Sequence, residues 1–284
     1  MRVSVVMPAF NEDAVIQDIL KRVIQLQIAD EILVVDDGSS DHTADKAAAI
    51  EGVTVVRHPY NMGNGAAVKS GIRAASGDIV VLMDADGQHP PEEIPNLLQH
   101  LDPYDMVVGE RGTGSEAAVS RSIANSVFNL YSSYIVGYQV PDLTSGFRAL
   151  RASVAKNFVY LLPNKFSYPT TLTIAFFRAG YAVKYQPFAS PARVGRSKIR
   201  PLRDGFRFLL TITRLGVLFV PLKIFLPISL FLMTTGMGYV LLELANSRRF
   251  SGFGGLIATI GVFTFLLGLV SEQIALLRLV NSER

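Results

Sequence analysis

The sequence predicts an α/β domain with a mostly parallel central sheet, followed by an interfacial helix and a C-terminal hairpin of two transmembrane helices. Three observations predict this fold class. Short β-branched runs alternate with helical patterns over roughly the first 190 residues. Polar clusters follow four of these runs, and two long uncharged segments stand near the end of the chain.

The composition excludes several classes of protein. The chain has 284 residues, of which 49% are hydrophobic and 18% are charged, so it is too apolar to be disordered. It contains no cysteine, which excludes a disulfide framework, a cysteine-bound zinc or iron–sulfur site and a thiol nucleophile. Its net charge of +3 is small, and we expect no nucleic-acid partner.

The strands and helices alternate in the order that a parallel sheet requires. Proline residues at the start of the segment Pro90-Pro91-Glu92-Glu93 indicate the first turn of a further helix. The predicted helices before it are Ala14–Leu26, Ala44–Ile50 and Ala66–Ala75. The predicted strands are Val3–Met7, Glu31–Val35, Val53–Arg57, Ile79–Met83 and Met106–Gly109.

Four polar clusters follow the first four strands. Ligands of open parallel sheets bind at the carboxyl ends of strands, so these clusters are expected to line one binding edge. One such cluster would be weak evidence, because Asp and Gly occur in any turn. The clusters are Pro8-Ala9-Phe10-Asn11-Glu12, Asp36-Asp37-Gly38-Ser39-Ser40-Asp41, Asn61-Met62-Gly63-Asn64-Gly65 and Asp84-Ala85-Asp86-Gly87-Gln88-His89.

The fourth cluster has the spacing of a divalent-cation site. Asp84, Asp86 and Gln88 offer hard oxygen ligands at alternate positions, which suit Mg²⁺ or Mn²⁺ and a nucleotide phosphate. Asp36 and Asp37 are candidates to accept hydrogen bonds from a base or ribose. The chain has no P-loop motif, and the Gly63-x-Gly65 pair lacks the third glycine of a dinucleotide-binding loop.

Two segments near the C-terminus are long enough to cross a bilayer. Residues 224–242 and 251–271 carry no charge, and each is close to the roughly 20 residues that span a hydrocarbon core as a helix. The alternative is a pair of buried core helices. The apolar excess of the whole chain is concentrated here, which favours a transmembrane hairpin.

The charges beside these segments predict the orientation. Pro201–Val220 reads as an amphipathic helix that lies on the bilayer, the alternative being a helix packed on the soluble domain. Basic residues on the cytoplasmic side are the rule, so the α/β domain and both termini are expected in the cytoplasm, close to membrane lipids. We divide the chain into residues 1–194, 195–221 and 222–284. The basic residues are Arg196, Lys198, Arg200, Arg203, Arg207, Arg214 and Lys223.

The four clusters together resemble the family 2 glycosyltransferases, which have the GT-A fold. A closer similarity is to the polyprenyl-phosphate sugar synthases of the dolichyl-phosphate mannose synthase type. Three later segments carry this similarity: Gly109-Glu110-Arg111, Asp142-Leu143-Thr144-Ser145-Gly146-Phe147-Arg148 and Arg193-Val194-Gly195-Arg196-Ser197-Lys198-Ile199.

The resemblance implies metal-dependent, inverting transfer of a single hexose from a nucleotide-sugar to polyprenyl or dolichyl phosphate. It assigns Pro8, Ala9, Glu12, Asp37 and Asp84 to the nucleotide, and Asp84, Asp86 and Gln88 to Mg²⁺ or Mn²⁺. Arg111 and Arg121 are expected to bind the acceptor phosphate, because guanidinium groups match phosphate in a two-pronged way. Ser197 and Lys198 would close over the phosphates. The expected catalytic residues are Asp86, Arg111, Asp142 and Lys198, with Asp142 either a base or a group that orients its neighbours.

Several alternatives stay open at this point. The donor is expected to be a UDP-hexose, with GDP-mannose possible. A second enzyme hypothesis is a membrane-anchored glycosyltransferase that acts on a hydroxyl of a lipid-linked sugar or polysaccharide, and a remote one is a non-catalytic membrane partner. The absence of Trp excludes the Gln-x-x-Arg-Trp motif of processive synthases. A homo-oligomer is possible, although no Gly-x-x-x-Gly motif includes Gly236 or Gly238.

Overall fold

The computed structural model describes residues 1–112, 119–165, 167–190 and 201–282. The chain forms two compact units, Met1–Phe208 and Leu209–Arg284. The first is an α/β domain and the second is helical. The predicted loop residues Arg196, Ser197 and Lys198 lie outside the described residues.

The first unit is built on one seven-stranded sheet with the order β3-β2-β1-β4-β6-β5-β7. Within it, β6 runs antiparallel to both of its neighbours, and the other pairings are parallel, which confirms the mostly parallel sheet. The strands are β1 (Val3–Ala9), β2 (Glu31–Asp36), β3 (Val53–Arg57), β4 (Ile79–Leu82), β5 (Met106–Arg111), β6 (Arg148–Arg151) and β7 (Val183–Phe188).

Helices cover the sheet where the sequence has a helical period. In the first helix Ile16, Ile19, Leu20 and Val23 are buried, at the spacing of one helix face. The segment after Pro90 begins as a short 3₁₀ turn, Pro91–Glu93, and continues as an α-helix. The helices are α1 (Ile16–Gln25), α2 (Thr43–Ala48), α3 (Asn64–Ala74), α4 (Ile94–Leu98), α5 (Val119–Val136), α6 (Ala152–Phe158) and α7 (Tyr168–Arg178).

The core lies along the central strands. Every residue of β1 and β4 is buried, which explains why these strands read as continuous apolar runs rather than alternating ones. A side chain in place of Gly71 on α3 would collide with Val6 of β1, so this glycine lets the helix lie close to the sheet. The close packing fixes the strand ends from which the polar clusters extend.

Two strands were not predicted. β6 has only four residues, with Arg148 and Arg151 at its ends, and β7 contains Lys184, Gln186 and Pro187. Neither shows the apolar run of a central strand or a clean alternation. β6 pairs between β4 and β5, and its position therefore depends on contacts distant in the sequence.

The helical unit carries two long apolar helices, α9 (Pro221–Ser247) and α10 (Gly252–Ser282), which follow α8 (Pro201–Phe219). The candidate spans Pro221–Ser247 and Gly252–Leu277 have mean hydropathies of 1.8 and 2.2, and only 17% of each apolar window is buried in the protein. Such exposure is typical of helices that face lipid rather than a protein core. The helices extend beyond the predicted segments 224–242 and 251–271.

Glycines bring α9 and α10 together. A Cβ at Gly236 would lie 2.7 Å from the carbonyl oxygen of Gly254, and one at Gly261 would lie 3.0 Å from that of Ser229. At Gly268 it would lie 2.7 Å from Cβ of Phe225. Gly254, Gly261 and Gly268 of α10 are spaced by seven residues, which places them on one seam.

Polar groups cap the ends of both helices of the hairpin. Arg248 has a left-handed conformation with φ 52° and donates its N–H to Leu244 O, closing α9. The hydroxyl of Ser251 accepts the N–H of Gly254 at 3.3 Å, in the first turn of α10. At the other end, the Glu272 carboxylate accepts the N–H of Leu222 at 3.1 Å, in the first turn of α9. The carboxylate of one helix therefore stabilises the start of the other.

Candidate active site

The site forms where β1, β2 and β4 end at the same edge of the sheet. Ala9 at the end of β1 lies opposite Asp36 at the end of β2, and the Asp37 N–H donates to Ala9 O at 2.9 Å. Val6 pairs with Leu82, so the residues after β4 emerge beside β1. The fold brings the predicted clusters to a common edge.

The Asp37 carboxylate is buried and holds the loop after β3. It accepts the N–H groups of Met62 at 2.9 Å and Gly63 at 2.8 Å, and Nδ1 of His58 at 2.8 Å. The Asp37 residue is only 2% exposed. A direct contact between this carboxylate and a nucleoside remains a prediction, and the geometry instead gives Asp37 the role of an anchor for the loop.

Gly63 and Gly65 of this loop allow a neighbouring segment of the chain to pack closely against it. Gly63 has φ 104°, a conformation that favours glycine, and Ala66 donates its N–H to Asn164 O at 3.0 Å. A side chain at Gly63 or Gly65 would meet the backbone of residues 163–165. The close approach of the loop at residues 163–165 explains why both positions are glycine. The pattern therefore does not require that this loop bind a phosphate.

The loops after β1 and β2 are joined by a network of hydrogen bonds. Asn11 has φ 56° and its side-chain oxygen accepts the N–H of Ser40 at 2.8 Å, while Ser39 Oγ accepts the N–H of Asn11 at 3.0 Å. Thr43 Oγ1 accepts the N–H of Glu12 at 2.8 Å. Burial opposes ionisation of Asp41, but hydrogen bonds from Thr43 and Asp13 outweigh it and lower the Asp41 pKa. The two loops thus form one rigid wall.

Asp84 and Asp86 lie on a turn directly after β4. The Asp84 side chain is 30% exposed, and Asn64 at the start of α3 donates to its Oδ1 at 3.4 Å. The N–H of Gln88 donates to Asp86 Oδ1 at 3.1 Å, and Gly87 between them has φ 79°. These bonds hold the Asp-x-Asp-x-Gln segment in a tight turn.

Two further neighbours restrict the position of the turn from Asp84 to Gln88. A Cβ at Gly146 would lie 2.9 Å from Asp84 Oδ2 and 2.8 Å from the Tyr168 hydroxyl. An added methyl at position 146 would therefore force either the Asp84 carboxylate or the hydroxyl of the buried Tyr168 to shift. On the far side, Ser190 Oγ donates to Gln88 O at 3.1 Å.

The His89 side chain also stabilises this turn. Its Nδ1 accepts the N–H of Asp84 at 2.8 Å, so Nδ1 is the unprotonated nitrogen. Its ring stacks on Phe147 at a centroid distance of 5.1 Å, and Phe188 packs at its edge. Burial lowers the pKa of His89 to about 4, which keeps the ring neutral at physiological pH.

Arg111 and Asp142 form a two-pronged ion pair. Nε and Nη2 of Arg111 each donate to the carboxylate at 2.8 Å, and Nη2 also donates to Thr144 Oγ1 at 2.5 Å. The N–H groups of Thr144 and Ser145 donate to Asp142 Oδ1, each at 3.1 Å. The pair is thus fixed by both the end of β5 and the segment 142–145.

The ion pair is electrostatically coupled to the acidic turn. Burial disfavours the charged guanidinium, but Asp142, with further attraction from Asp84 and Asp86, raises the Arg111 pKa. Burial also opposes ionisation of Asp142, yet hydrogen bonds and charge attraction from Arg111 lower its pKa. Both groups are therefore ionised at neutral pH. Burial, followed by repulsion from Asp142, raises the pKa of the neighbouring Glu110.

Arg148 is a buried residue of the site for which no role was predicted. It donates to Ser145 O and, through Nη1, to Pro169 O at 3.1 Å and Thr173 Oγ1 at 3.3 Å. It is fully buried, and burial lowers its pKa. Its bonds attach the segment after Asp142 to α7. The only signal was its place in the Ser-Gly-Phe-Arg segment.

The other predicted site residues lie as follows. Pro8 and Ala9 are buried at the end of β1, and Glu12 is half-buried in the wall of the site. Arg121 lies in α5, but its side chain is outside the described part of the structure, as are Ser197 and Lys198. The structure therefore brings Asp84, Asp86, Gln88, Arg111 and Asp142 to one region and leaves these three undescribed.

The side chains at the turn offer part of the ligand set of a divalent cation. Substrate phosphates would supply the remaining ligands. Among the described residues, no group of three or more His, Asp or Glu side chains is arranged to hold a metal ion. Asp84 and Asp86 offer two carboxylates on one turn, and Gln88 follows two residues further along the chain. Mg²⁺ is commonly bound by one or two carboxylates together with substrate phosphates, and this set fits that pattern.

Two similar proteins of known sequence are sugar transferases. An undecaprenyl-phosphate mannosyltransferase from Micrococcus luteus is 34% identical over 167 residues, which cover 55% of this chain and 69% of the relative. An undecaprenyl-phosphate 4-deoxy-4-formamido-L-arabinose transferase from Proteus mirabilis is 35% identical over 162 residues. That match covers 54% of this chain and 50% of the relative.

A solved structure and two family models agree with these relatives. Glucosyl-3-phosphoglycerate synthase from Mycobacterium tuberculosis, solved with Mn²⁺, UDP-glucose and phosphoglyceric acid, has a TM-score of 0.61 at 25% identity. The match covers 76% of this chain and 79% of the synthase, and it confirms the GT-A fold. Residues 220–277 match the family described as the GtrB C-terminal hairpin. Residues 4–158, more than half of the chain, match glycosyl transferase family 2, and the protein is therefore a member of that family with a membrane-associated hairpin.

Proposed function

We propose that this glycosyltransferase moves one hexose from a nucleotide-sugar to the phosphate of a polyprenyl lipid at the cytoplasmic face of the membrane. The observation that carries the proposal is the Arg111–Asp142 pair, coupled to the acidic turn at Asp84 and Asp86. This arrangement places a fixed cation beside the predicted donor site. It suits a reaction in which both substrates are phosphate esters.

On the donor side, Asp84, Asp86 and Gln88 would hold Mg²⁺ or Mn²⁺ together with the donor diphosphate. When bound, such a cation would neutralise the charge that grows on the leaving diphosphate. The wall formed by Pro8, Ala9 and Glu12 would receive the nucleoside, with Asp37 acting through the loop that it anchors. The solved synthase with Mn²⁺ and UDP-glucose supports a UDP-hexose as donor.

On the acceptor side, Arg111 would bind the lipid phosphate. Its side chain is 34% exposed although its guanidinium is fixed by Asp142, so it keeps surface for a second anion. Because a phosphate monoester has its second pKa near 6, the acceptor is already largely dianionic at neutral pH and needs no general base. Asp142, with its lowered pKa and its bonds to Arg111, is suited to orienting the guanidinium and poorly suited to accepting a proton. The same geometry disfavours the hydroxyl-acceptor alternative.

The hairpin gives the reaction its location. A long polyprenyl tail stays in the bilayer, so the enzyme has to work at the membrane surface. The named relatives from M. luteus and P. mirabilis are undecaprenyl-phosphate transferases, which supports this class of acceptor. The basic segment before α9 supports the cytoplasmic orientation. In the proposal Arg121, Ser197 and Lys198 add to the binding of the phosphates, and attack opposite the leaving group inverts the anomeric centre.

The test is a direct assay of the product. The purified protein in nanodiscs is incubated with Mg²⁺ or Mn²⁺, polyprenyl phosphate and a panel of UDP- and GDP-sugars, and the lipid is analysed by mass spectrometry. We expect a monoglycosylated polyprenyl phosphate that disappears in Asp86→Ala. Transfer only to a lipid-linked sugar, with polyprenyl phosphate left unchanged, would refute the proposal.

A further inference from the structure

A buried histidine that the proposed chemistry does not use lies between the end of β3 and helix α3. His58 follows β3 directly, and its backbone N–H donates to Asp36 O at 2.9 Å. Its side chain is only 8% exposed. Burial of a polar ring is unfavourable unless its polar atoms find partners, so the partners of the two ring nitrogens decide its role.

Both ring nitrogens of His58 bond to side chains. Nδ1 lies 2.8 Å from Asp37 Oδ1, and Nε2 lies 2.9 Å from the Ser70 hydroxyl on α3. Both oxygens of Asp37 also accept backbone N–H groups, so Asp37 is the acceptor and Nδ1 carries a proton. In the neutral ring, Nε2 then accepts a hydrogen bond from the Ser70 hydroxyl. These three side chains, Asp37, His58 and Ser70, are here called the buried bridge.

The hydrogen bonds of Asp37 leave one acceptor position of its carboxylate unused. A carboxylate has about four such positions. Oδ1 takes His58 and the N–H of Met62, and Oδ2 takes the N–H of Gly63. Among the contacts that the structure describes, one position on Oδ2 is therefore left. It suits a single O–H or N–H group of a nucleoside, provided that the carboxylate keeps this orientation.

The same carboxylate connects the buried bridge to the acidic turn. Asp37 holds the N–H groups of Met62 and Gly63, and the next residue, Asn64, donates to Asp84 Oδ1 at 3.4 Å. A shift of the Asp37 carboxylate would therefore move a loop that contacts a predicted cation ligand. The side of the site predicted to receive the nucleoside is thus joined to the side predicted to hold the diphosphate.

We infer that His58 is a positioning residue for the nucleotide-sugar and acts through Asp37. The terminal torsion of an Asp side chain is broad, so a hydrogen bond from a ring that Ser70 itself holds narrows the orientation of the carboxylate. His58 is not a catalytic residue, because it is buried and both of its nitrogens are engaged. This inference rests on the proposed binding of a nucleotide-sugar at this edge of the sheet.

The inference can be tested by nucleotide binding alone, without an acceptor. The full-length protein in detergent is titrated calorimetrically with UDP and with GDP in the presence of Mg²⁺, and the nucleotide that binds more tightly is used for the variants. His58→Phe keeps a ring but removes both hydrogen bonds. His58→Asn places an amide N–H near the position of Nδ1 and keeps the bond to Asp37. His100→Phe is the control, because the structure pairs His100 with Gln186 and Lys184 of β7 rather than with Asp37.

We expect the nucleotide Kd to rise roughly tenfold in His58→Phe at an unchanged number of binding sites, because a hydrogen bond to a charged group is lost. His58→Asn should restore most of the affinity, and Ser70→Ala should raise Kd by only about two- to three-fold. The control should bind like the unmodified protein. Circular dichroism establishes that each variant is folded.

Two results would overturn the inference. One is a His58→Phe protein with fewer binding sites but an unchanged Kd, which is the outcome of a purely structural role. The other is a Kd of His58→Asn that is raised as much as that of His58→Phe. Because no acceptor is present, these outcomes do not depend on whether polyprenyl phosphate receives the sugar, and failure of the proposed transfer would be seen separately in the product assay.

Discussion

Asp142 accepts two hydrogen bonds from the Arg111 guanidinium, through Nε and Nη2, both at 2.8 Å. The residues are 31 positions apart in the chain, and the pair joins the end of β5 to the segment before β6. Two parallel bonds fix the plane of the guanidinium as well as its position. This orientation is what a phosphate acceptor would require.

The first prediction concerns the planar shape of the Arg111 guanidinium. Arg111→Lys keeps the charge but loses the two-pronged geometry, so we expect sugar transfer to fall roughly 100-fold while nucleotide affinity changes little. Steady-state transfer and nucleotide titration measure the two effects. Arg22→Lys is a matched control, because Arg22 makes a similar pair with Glu92 on the surface, at 2.9 and 2.6 Å. An Arg111→Lys enzyme as active as the control would contradict the proposed role.

The second prediction concerns the pH dependence of transfer. The lowered pKa of Asp142 keeps its carboxylate ionised well below neutral pH, so Asp142 does not limit activity there. The acceptor phosphate loses its second negative charge as the pH falls through about 6, and kcat/KM should fall with it. Asp142→Asn should lower the plateau without moving this acidic limb. Loss of the limb in the variant would instead identify Asp142 as a general base.

The third prediction tests the packing of the acidic turn. Gly146→Ala places a methyl group 2.9 Å from Asp84 Oδ2 and 2.8 Å from the Tyr168 hydroxyl. Because Tyr168 is buried, we expect the partly exposed Asp84 carboxylate to shift. We expect Mn²⁺ affinity, measured by electron paramagnetic resonance, to weaken roughly tenfold or more. Gly205→Ala is the control, because the nearest described atom to its new methyl lies in the Phe128 ring, at 3.8 Å. Unchanged Mn²⁺ binding in Gly146→Ala would show that Asp84 is not a ligand.

The fourth prediction concerns stability in acid. The buried His89 has a pKa of about 4, below the ordinary 6.5, so between these values the unfolded chain binds a proton that the folded protein does not. Stability should therefore decrease as the pH falls from about 6.5 to about 4, by an amount on the order of 3 kcal/mol. His89→Phe should flatten this part of the curve of Tm against pH. The exposed His42→Phe should leave it unchanged.

The fifth prediction compares two glycines of the same helix. A side chain at Gly236 meets the backbone of α10, whereas one at Gly238 meets nothing within 4 Å. Gly236→Leu should destabilise the hairpin by about 1–3 kcal/mol, and Gly238→Leu should have little effect. Thermal unfolding in detergent measures the difference. Equal Tm values for the two variants would argue against the close approach of α9 and α10.

The sequence was sufficient for the parts of the fold that local patterns determine. The strands β1 to β5 are marked by short apolar, β-branched runs followed by polar residues, and Asp84 and Asp86 follow directly from a buried strand. It was not sufficient for β6, because a strand of only four residues with an arginine at each end has no local signature. Its position depends on pairing with β4 and β5.

The roles of particular site residues depended on contacts that a sequence does not show. Asp37 is predicted to contact the nucleotide, but its three hydrogen bonds to the loop after β3 could not be read from the sequence. The ion pair between Asp142 and Arg111 could not be read either, so the sequence left Asp142 as a base or an orienting group. In the hairpin the signal was present but different from the motif sought: Gly254, Gly261 and Gly268 repeat every seven residues rather than every four.

The position of β6 between β4 and β5 also determines the order in which the two halves of the sheet can form during protein synthesis. The first four strands, up to Leu82, pair directly as β3-β2-β1-β4, and a ribosome exposes them before the rest. The second half can join only after Arg151 has emerged, because β5 reaches β4 through β6. We expect the half that ends at Asp84 and Asp86 to fold first on the ribosome and the half that supplies Arg111 to dock onto it. The hairpin is synthesised after the α/β domain, so the domain can be complete before the hairpin enters the membrane.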